Sequence, residues 1–274
     1  MRVEQASFTQ VLEPMGIKAS KCILLVALLL TSALPSIASS MSRFQEGDCF
    51  TYDLYWSHIR VGRAELSFNY ESLEQGQPEL LHAVFTIRTR GIADRIFKVR
   101  DRIESWIDPL TGRPIFYKKK QREGKTKRDI EVCFNWDSMT AIYTRNGKVN
   151  DPITITKDTF DPLSLITEIT RASFVEFETR SQATTDGKKL VYIDATRKSD
   201  KRLKIKAGKF DAQQIEVATN ELQGVFEKSP DASIELWLSQ HKPAIPLKMR
   251  SEVSVGSFYG ELREAIYQGK RIGP

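Results

Sequence analysis

Three histidines, His58, His82 and His241, are the side chains best suited to ligate a metal or shuttle a proton. None has a second histidine or a cysteine at ligand spacing, so a metal site is not expected and each reads as a surface or turn residue. The carboxylates Asp101, Glu104 and Asp108 cluster in one segment with Arg100 and Arg102. General acid–base work needs two carboxyls on one cavity. In a strand, however, Asp101 and Glu104 point to opposite faces, which favours a charged cross-strand ladder. Gly256-Ser-Phe-Tyr-Gly260 has its serine one place too early for a nucleophile elbow and lacks the strand-to-helix context. P-loop, dinucleotide, zinc-protease and Cys-x-x-Cys patterns are missing as well. A non-enzymatic protein without a cofactor is the expectation. A hydrolase with a dispersed site would require two of Asp101, Glu104, Asp194 and His82 to converge on a cavity.

Charge and aromatic rings supply the binding candidates. Tyr117–Asp129 holds Lys118, Lys119, Lys120, Arg122, Lys125, Lys127 and Arg128 against two acidic residues. A second basic cluster, Lys198, Lys201, Arg202, Lys204 and Lys206, lies between Arg197 and Lys209. Such patches can meet anionic lipid headgroups or lipopolysaccharide. They also read as solvated hairpin tips whose lysines discourage edge-to-edge pairing. No readout motif points to nucleic acid. Tyr52, Trp56, Phe68 and Trp136 are the aromatic candidates for lining a ligand site, with plain core as the competing reading.

The elements that must position these residues are strands. From Gly47 onward, apolar and polar residues alternate with period two, as in Phe50/Tyr52/Leu54/Trp56, Ala64/Leu66/Phe68/Tyr70 and Ile234/Leu236/Leu238. Turn signals punctuate them: Asp108-Pro-Leu-Thr-Gly112, Glu123-Gly124, and Asn146-Gly147, the favoured pair for a type I′ hairpin. Ile92–Phe97 has room for one helical turn. Asp161 followed by Pro162 is an N-cap with proline at the first helical position, and Leu163, Ile166 and Ile169 carry a helix over about 160–174. About a dozen strands with one packed helix predict a mainly β chain, a large curved antiparallel sheet that is barrel-like.

The start of the chain reads as an address. Lys18 and Lys21 precede an apolar run from Cys22 to Leu34; Pro35 stops it short of the span a membrane helix needs, and small residues follow. Residues 1–40 are therefore expected to be a signal peptide cleaved after Ala38 or Ser40, with Met15 as a rival start to Met1. Residues 41–274 are expected to form a single β-rich domain without a transmembrane segment, monomeric and periplasmic or secreted. The whole chain carries a net charge of +6, a modest bias toward anionic partners. In an oxidising compartment Cys49 and Cys133 could pair if their strands are neighbours.

Several pieces in order resemble an exported bacterial family known as domain of unknown function 3108. They are Gly47-Asp-Cys-Phe-Thr-Tyr52 with Gly62, Asp101-Arg-Ile-Glu-Ser-Trp-Ile-Asp108 and Phe160-Asp-Pro-Leu-Ser164. Near the end, Leu236-Trp-Leu-Ser239, Pro246-Leu-Lys-Met249 and Val255-Gly-Ser257 complete the series. The resemblance implies an exported, curved antiparallel β-protein and transfers no catalytic residue, the family being named for lacking an activity. The basic hairpin is not recognised as a family feature.

The functional expectation is a periplasmic binder of an apolar or amphipathic envelope molecule, held on the concave side of the sheet. The alternative is a structural partner offering sheet edges and basic tips to another envelope protein.

Overall fold

The structure is a computed structural model that describes residues 44–172, 178–218, 233–240, 244–253 and 256–274. All of them fall in one compact unit, Met41–Pro274. The leader with its cleavage sites, Met15, Cys22, His241, Val255 and the expected helix end at Phe174 lie outside the described residues.

Among the described residues alternation becomes a 17-stranded sheet. The first meander is β1 (Cys49–Trp56), β2 (Ile59–Glu71), β3 (Leu80–Thr89), β4 (Arg100–Ile107), β5 (Pro114–Glu123), β6 (Thr126–Asn135) and β7 (Thr140–Arg145). Two-residue strands β8 (Lys148–Val149) and β9 (Ile153–Thr154) both pair with β7. After β10 (Thr159–Phe160), the second meander runs through β11 (Thr179–Thr185), β12 (Leu190–Ile205), β13 (Gly208–Ala218), β14 (Ser233–Ser239), β15 (Pro246–Val253), β16 (Gly256–Tyr267) and β17 (Lys270–Ile272). β1 pairs antiparallel with both β2 and β16, and so joins the meanders. Every ladder is antiparallel except the two-residue β10–β11 pairing.

The turns follow their chemistry. Asn146 and Gly147 both take positive φ, 49° and 80°, as a type I′ hairpin requires. Across the sheet, Phe68, Ala83 and Ser105 stand in register, as do Leu66, Phe85 and Ile103, so these residues share the inner face. The free ends of the ladder meet by packing: a Cβ on Gly187, in the β11–β12 turn, would come within 2.7 Å of Val132 Cγ2. Glycine lets that turn press onto β6 and β7, where Lys188 lies over the Tyr143 ring.

Among the described residues two helices complete the fold, α1 (Gly91–Ile96) and α2 (Pro162–Arg171). α2 starts at the expected cap. The fully buried Asp161 accepts hydrogen bonds from Leu163 N at 2.7 Å, Ser164 N at 3.0 Å and Ser105 Oγ at 2.6 Å, the last from the wall strand β4. α2 is the plug of the barrel. Leu163 and Ile166 pack into the cluster of Phe50, Tyr52, Leu66 and Phe68, while Leu165 and Ile169 pack into a second with Ile193, Ile215 and Leu236. A third core cluster, around Tyr117, Val132 and Tyr143, lies along β5–β7.

Candidate functional site

One end of the barrel leaves large apolar side chains uncovered. β1 ends at Trp56, which stands opposite Ile59 of β2 and Phe258 of β16. The Trp56 and Phe258 rings stack with centroids 6.2 Å apart. At the same end β3 gives way to α1. Gly91 at φ 62° allows the reversal, and Arg90 N donates to Val61 O to tie the bend to β2. Thr89 Oγ1 and Arg100 both donate to Asp94, at 2.6 and 2.7 Å, which pins the helix to the β3 and β4 ends. The Arg100 guanidinium holds the Asp94 carboxyl down at about 2.

None of the six residues of α1 is buried. Ile92 is 75% exposed, Ile96 80% and the following Phe97 54%. Phe97 lies against Gly124 in the β5–β6 turn, and Gly124 N donates to Lys98 O. Trp56, Ile59, Ile92, Ile96, Phe97 and Phe258 thus surround a concavity of about 730 Å³, with Arg60, Arg90 and Glu123 at its edge. An apolar concavity of this size falls within the range of small-molecule sites.

Between α2 and the inner face the described residues leave a much smaller space. The space between α2 and the sheet is a cavity of about 50 Å³ lined by Tyr52, Leu54, Leu66, Phe85, Leu163 and Ile166 among others. That is room for one or two waters, so the expected ligand cavity on the concave side is corrected: α2 occupies it. Asp101 also faces inward from β4, opposite Ile87, and is 5% exposed. Burial raises its pKa to about 6, Glu123 alongside adds to the rise, and the Arg122 N–H bond at 2.7 Å opposes it.

The aromatic candidates do not converge. Trp56 is at the mouth. Tyr52 lines the small inner cavity and donates from its hydroxyl to Pro246 O. Phe68 is fully buried, its ring stacked on Phe44 at 4.0 Å. Trp136 lies elsewhere, stacked on Phe134 and donating to Pro114 O.

The basic hairpin is partly neutralised. Lys118 pairs with Glu131, and Arg122 pairs with Asp129 through one nitrogen and both carboxylate oxygens. Lys119 stands opposite Ile103, on the inner face, whereas Lys120, Lys125, Lys127 and Arg128 are exposed. In the second cluster, Lys206 reaches the buried Asp53, which also meets Arg60, Arg63 and Arg263.

Two expectations are overturned. Cys49 and Cys133 are both free: β1 and β6 are separated by β2–β5, four strands at about 4.8 Å spacing, far beyond disulfide reach. Burial pushes both thiols up, Cys49 to about 11 with Glu65 and Glu264 adding to the shift. His82, read as a surface or turn residue, is 5% exposed because Trp106 stacks on it at 4.3 Å. Its Nδ1 faces Glu71 and its Nε2 faces Glu104, at 3.1 and 3.4 Å, on opposite sides of the ring. Desolvation lowers its pKa. His82 and Glu104 do meet, but beneath Trp106 rather than in either cavity. Asp194 is exposed on β12. No group of three metal-ligating side chains occurs among the described residues.

Sequence reasoning placed a helical turn at Ile92–Phe97 but missed its role in the site. The available signal was the pair Ile92 and Ile96 at i, i+4, flanked by Arg90, Arg95 and Lys98.

A family model described as "Protein of unknown function (DUF3108)" matches residues 51–263. Among solved structures, the chain is similar to a beta-barrel-like protein of domain of unknown function DUF1849 from Brucella abortus. The TM-score is 0.52 at 12% identity, covering 78% of this chain and 94% of that one. At that identity the likeness is one of fold alone. No curated protein matches the chain.

Proposed function

We propose that this chain, which belongs to the DUF3108 family, is a non-catalytic binder that seats the apolar part of an amphipathic envelope molecule in the mouth beside α1. The observation behind this reading is the convergence of six large, exposed apolar side chains on a concavity of about 730 Å³. Exposed apolar clusters of this kind mark interaction sites, because leaving them in water is costly. Arg60 and Arg90 at the edge suit an anionic headgroup. The leader-like first 40 residues support a periplasmic setting.

The test is native mass spectrometry on protein purified from periplasm, followed by organic extraction and titration with a fluorescent fatty-acid analogue. A discrete copurifying mass and saturable probe binding, with Trp56→Ala weakening the probe about tenfold, are expected from the loss of one buried aromatic. A clean apo mass together with no saturable binding would overturn the reading.

A further inference from the structure

We infer that the same end of the barrel is a docking surface for an anionic bilayer, with α1 as the segment that enters the headgroup layer. Ile92 and Ile96, although they also line the concavity, form a stripe that is 75% and 80% exposed, one turn apart on a helix that buries nothing of its own. Phe97 continues that stripe into the β4 approach.

The charge around the stripe supplies the choice of partner. Arg90, Arg95, Lys98 and Lys125 are exposed around it, and none forms an ion pair among the described residues. Lys98 O and Gly124 N are hydrogen-bonded, so the β5–β6 tip with Lys125, Lys127 and Arg128 is held at this end too. Opposing them are Glu123 and Asp94, and Asp94 is occupied by Arg100. An apolar wedge ringed by unpaired cations matches the interface of a negatively charged membrane, where the ring meets phosphates and the wedge meets acyl chains. A neutral protein groove would leave these cations uncompensated.

This goes beyond ligand binding, and vesicle partition separates the two. Purified protein would be sedimented with phosphatidylcholine vesicles, without and with added phosphatidylglycerol, at about 0.1 M and about 0.5 M salt. Partition onto the anionic vesicles alone, weakened by salt, is expected. Replacing Ile92→Ser with Ile96→Ser should lower it about tenfold or more. Arg95→Gln with Lys98→Gln should lower it about fivefold per charge removed, while leaving probe binding in the concavity intact. All four positions are exposed and lie outside the core, so the variants fold. Failure of the parent protein to partition, equal partition onto neutral vesicles, or indifference to both variant pairs would overturn the docking surface, even with a ligand in the mouth. Partition by a protein that binds no probe would uphold docking and remove only the carrier reading.

Discussion

Replacing Asp101 by asparagine should make the protein more stable at neutral pH and leave it nearly unchanged in acid. The carboxyl is buried on the inner face of β4, and its pKa is raised to about 6 by desolvation, with Glu123 adding to the effect. An aspartate in the unfolded chain titrates near 3.9. Between those values the folded state holds a proton that the unfolded state has released. Stability from this group is therefore complete below about pH 4 and is lost as pH rises through about 6. Two pH units at about 1.4 kcal/mol each give an upper estimate near 3 kcal/mol at pH 7.5. Asparagine retains an oxygen for the Arg122 N–H and removes the charge. Urea unfolding of parent and variant, run from about pH 4 to pH 8, would read the difference as a change in midpoint at constant slope. The variant should draw ahead progressively across that interval. A gap that stays constant with pH, or a parent that gains on the variant as pH rises, would refute the reasoning.

Removing the cap of α2 should be costly in a different way. Asp161→Ala strands two helix N–H groups and the Ser105 hydroxyl in the core, for about 3 kcal/mol. Ser105→Ala should cost about 1 kcal/mol, both measured by urea unfolding. For the cysteines, reduction should leave the mass of the folded protein unchanged. At neutral pH a thiol reagent should modify the exposed Cys133 before Cys49, whose thiol burial has pushed to about 11. Faster reaction at Cys49 would contradict the burial described for β1.

Local signals carried most of the architecture because strand alternation, Asn146-Gly147 and the Asp161-Pro162 cap are each decided within a few residues. What depends on long separations was hidden. Nothing near Cys49 or Cys133 reveals that four strands stand between them. His82 sits in an alternating segment, yet its burial comes from Trp106 on the next strand, a partner set by register. The α2 helix was legible as amphipathic. Its filling of the concave side was not, because interior volume depends on how the whole sheet curls. The mouth was missed for a similar reason: Trp56, Ile96 and Phe258 are scattered along the chain, and only the β1–β16 and β1–β2 ladders bring β1's tryptophan to the others.

The joining of the two meanders through β1 sets an order of events for folding. Each meander is built of neighbouring hairpins whose loops close cheaply, so both can organise early and independently. Among the described residues the β1–β16 ladder, with Gln268 N donating to Asp48 Oδ1 across 220 residues, closes the longest loop of any ladder. Loop-closure entropy makes it the contact expected to form last. Until it does, β16 presents an unpaired edge, and the half-assembled chain has its greatest opportunity to pair with another copy.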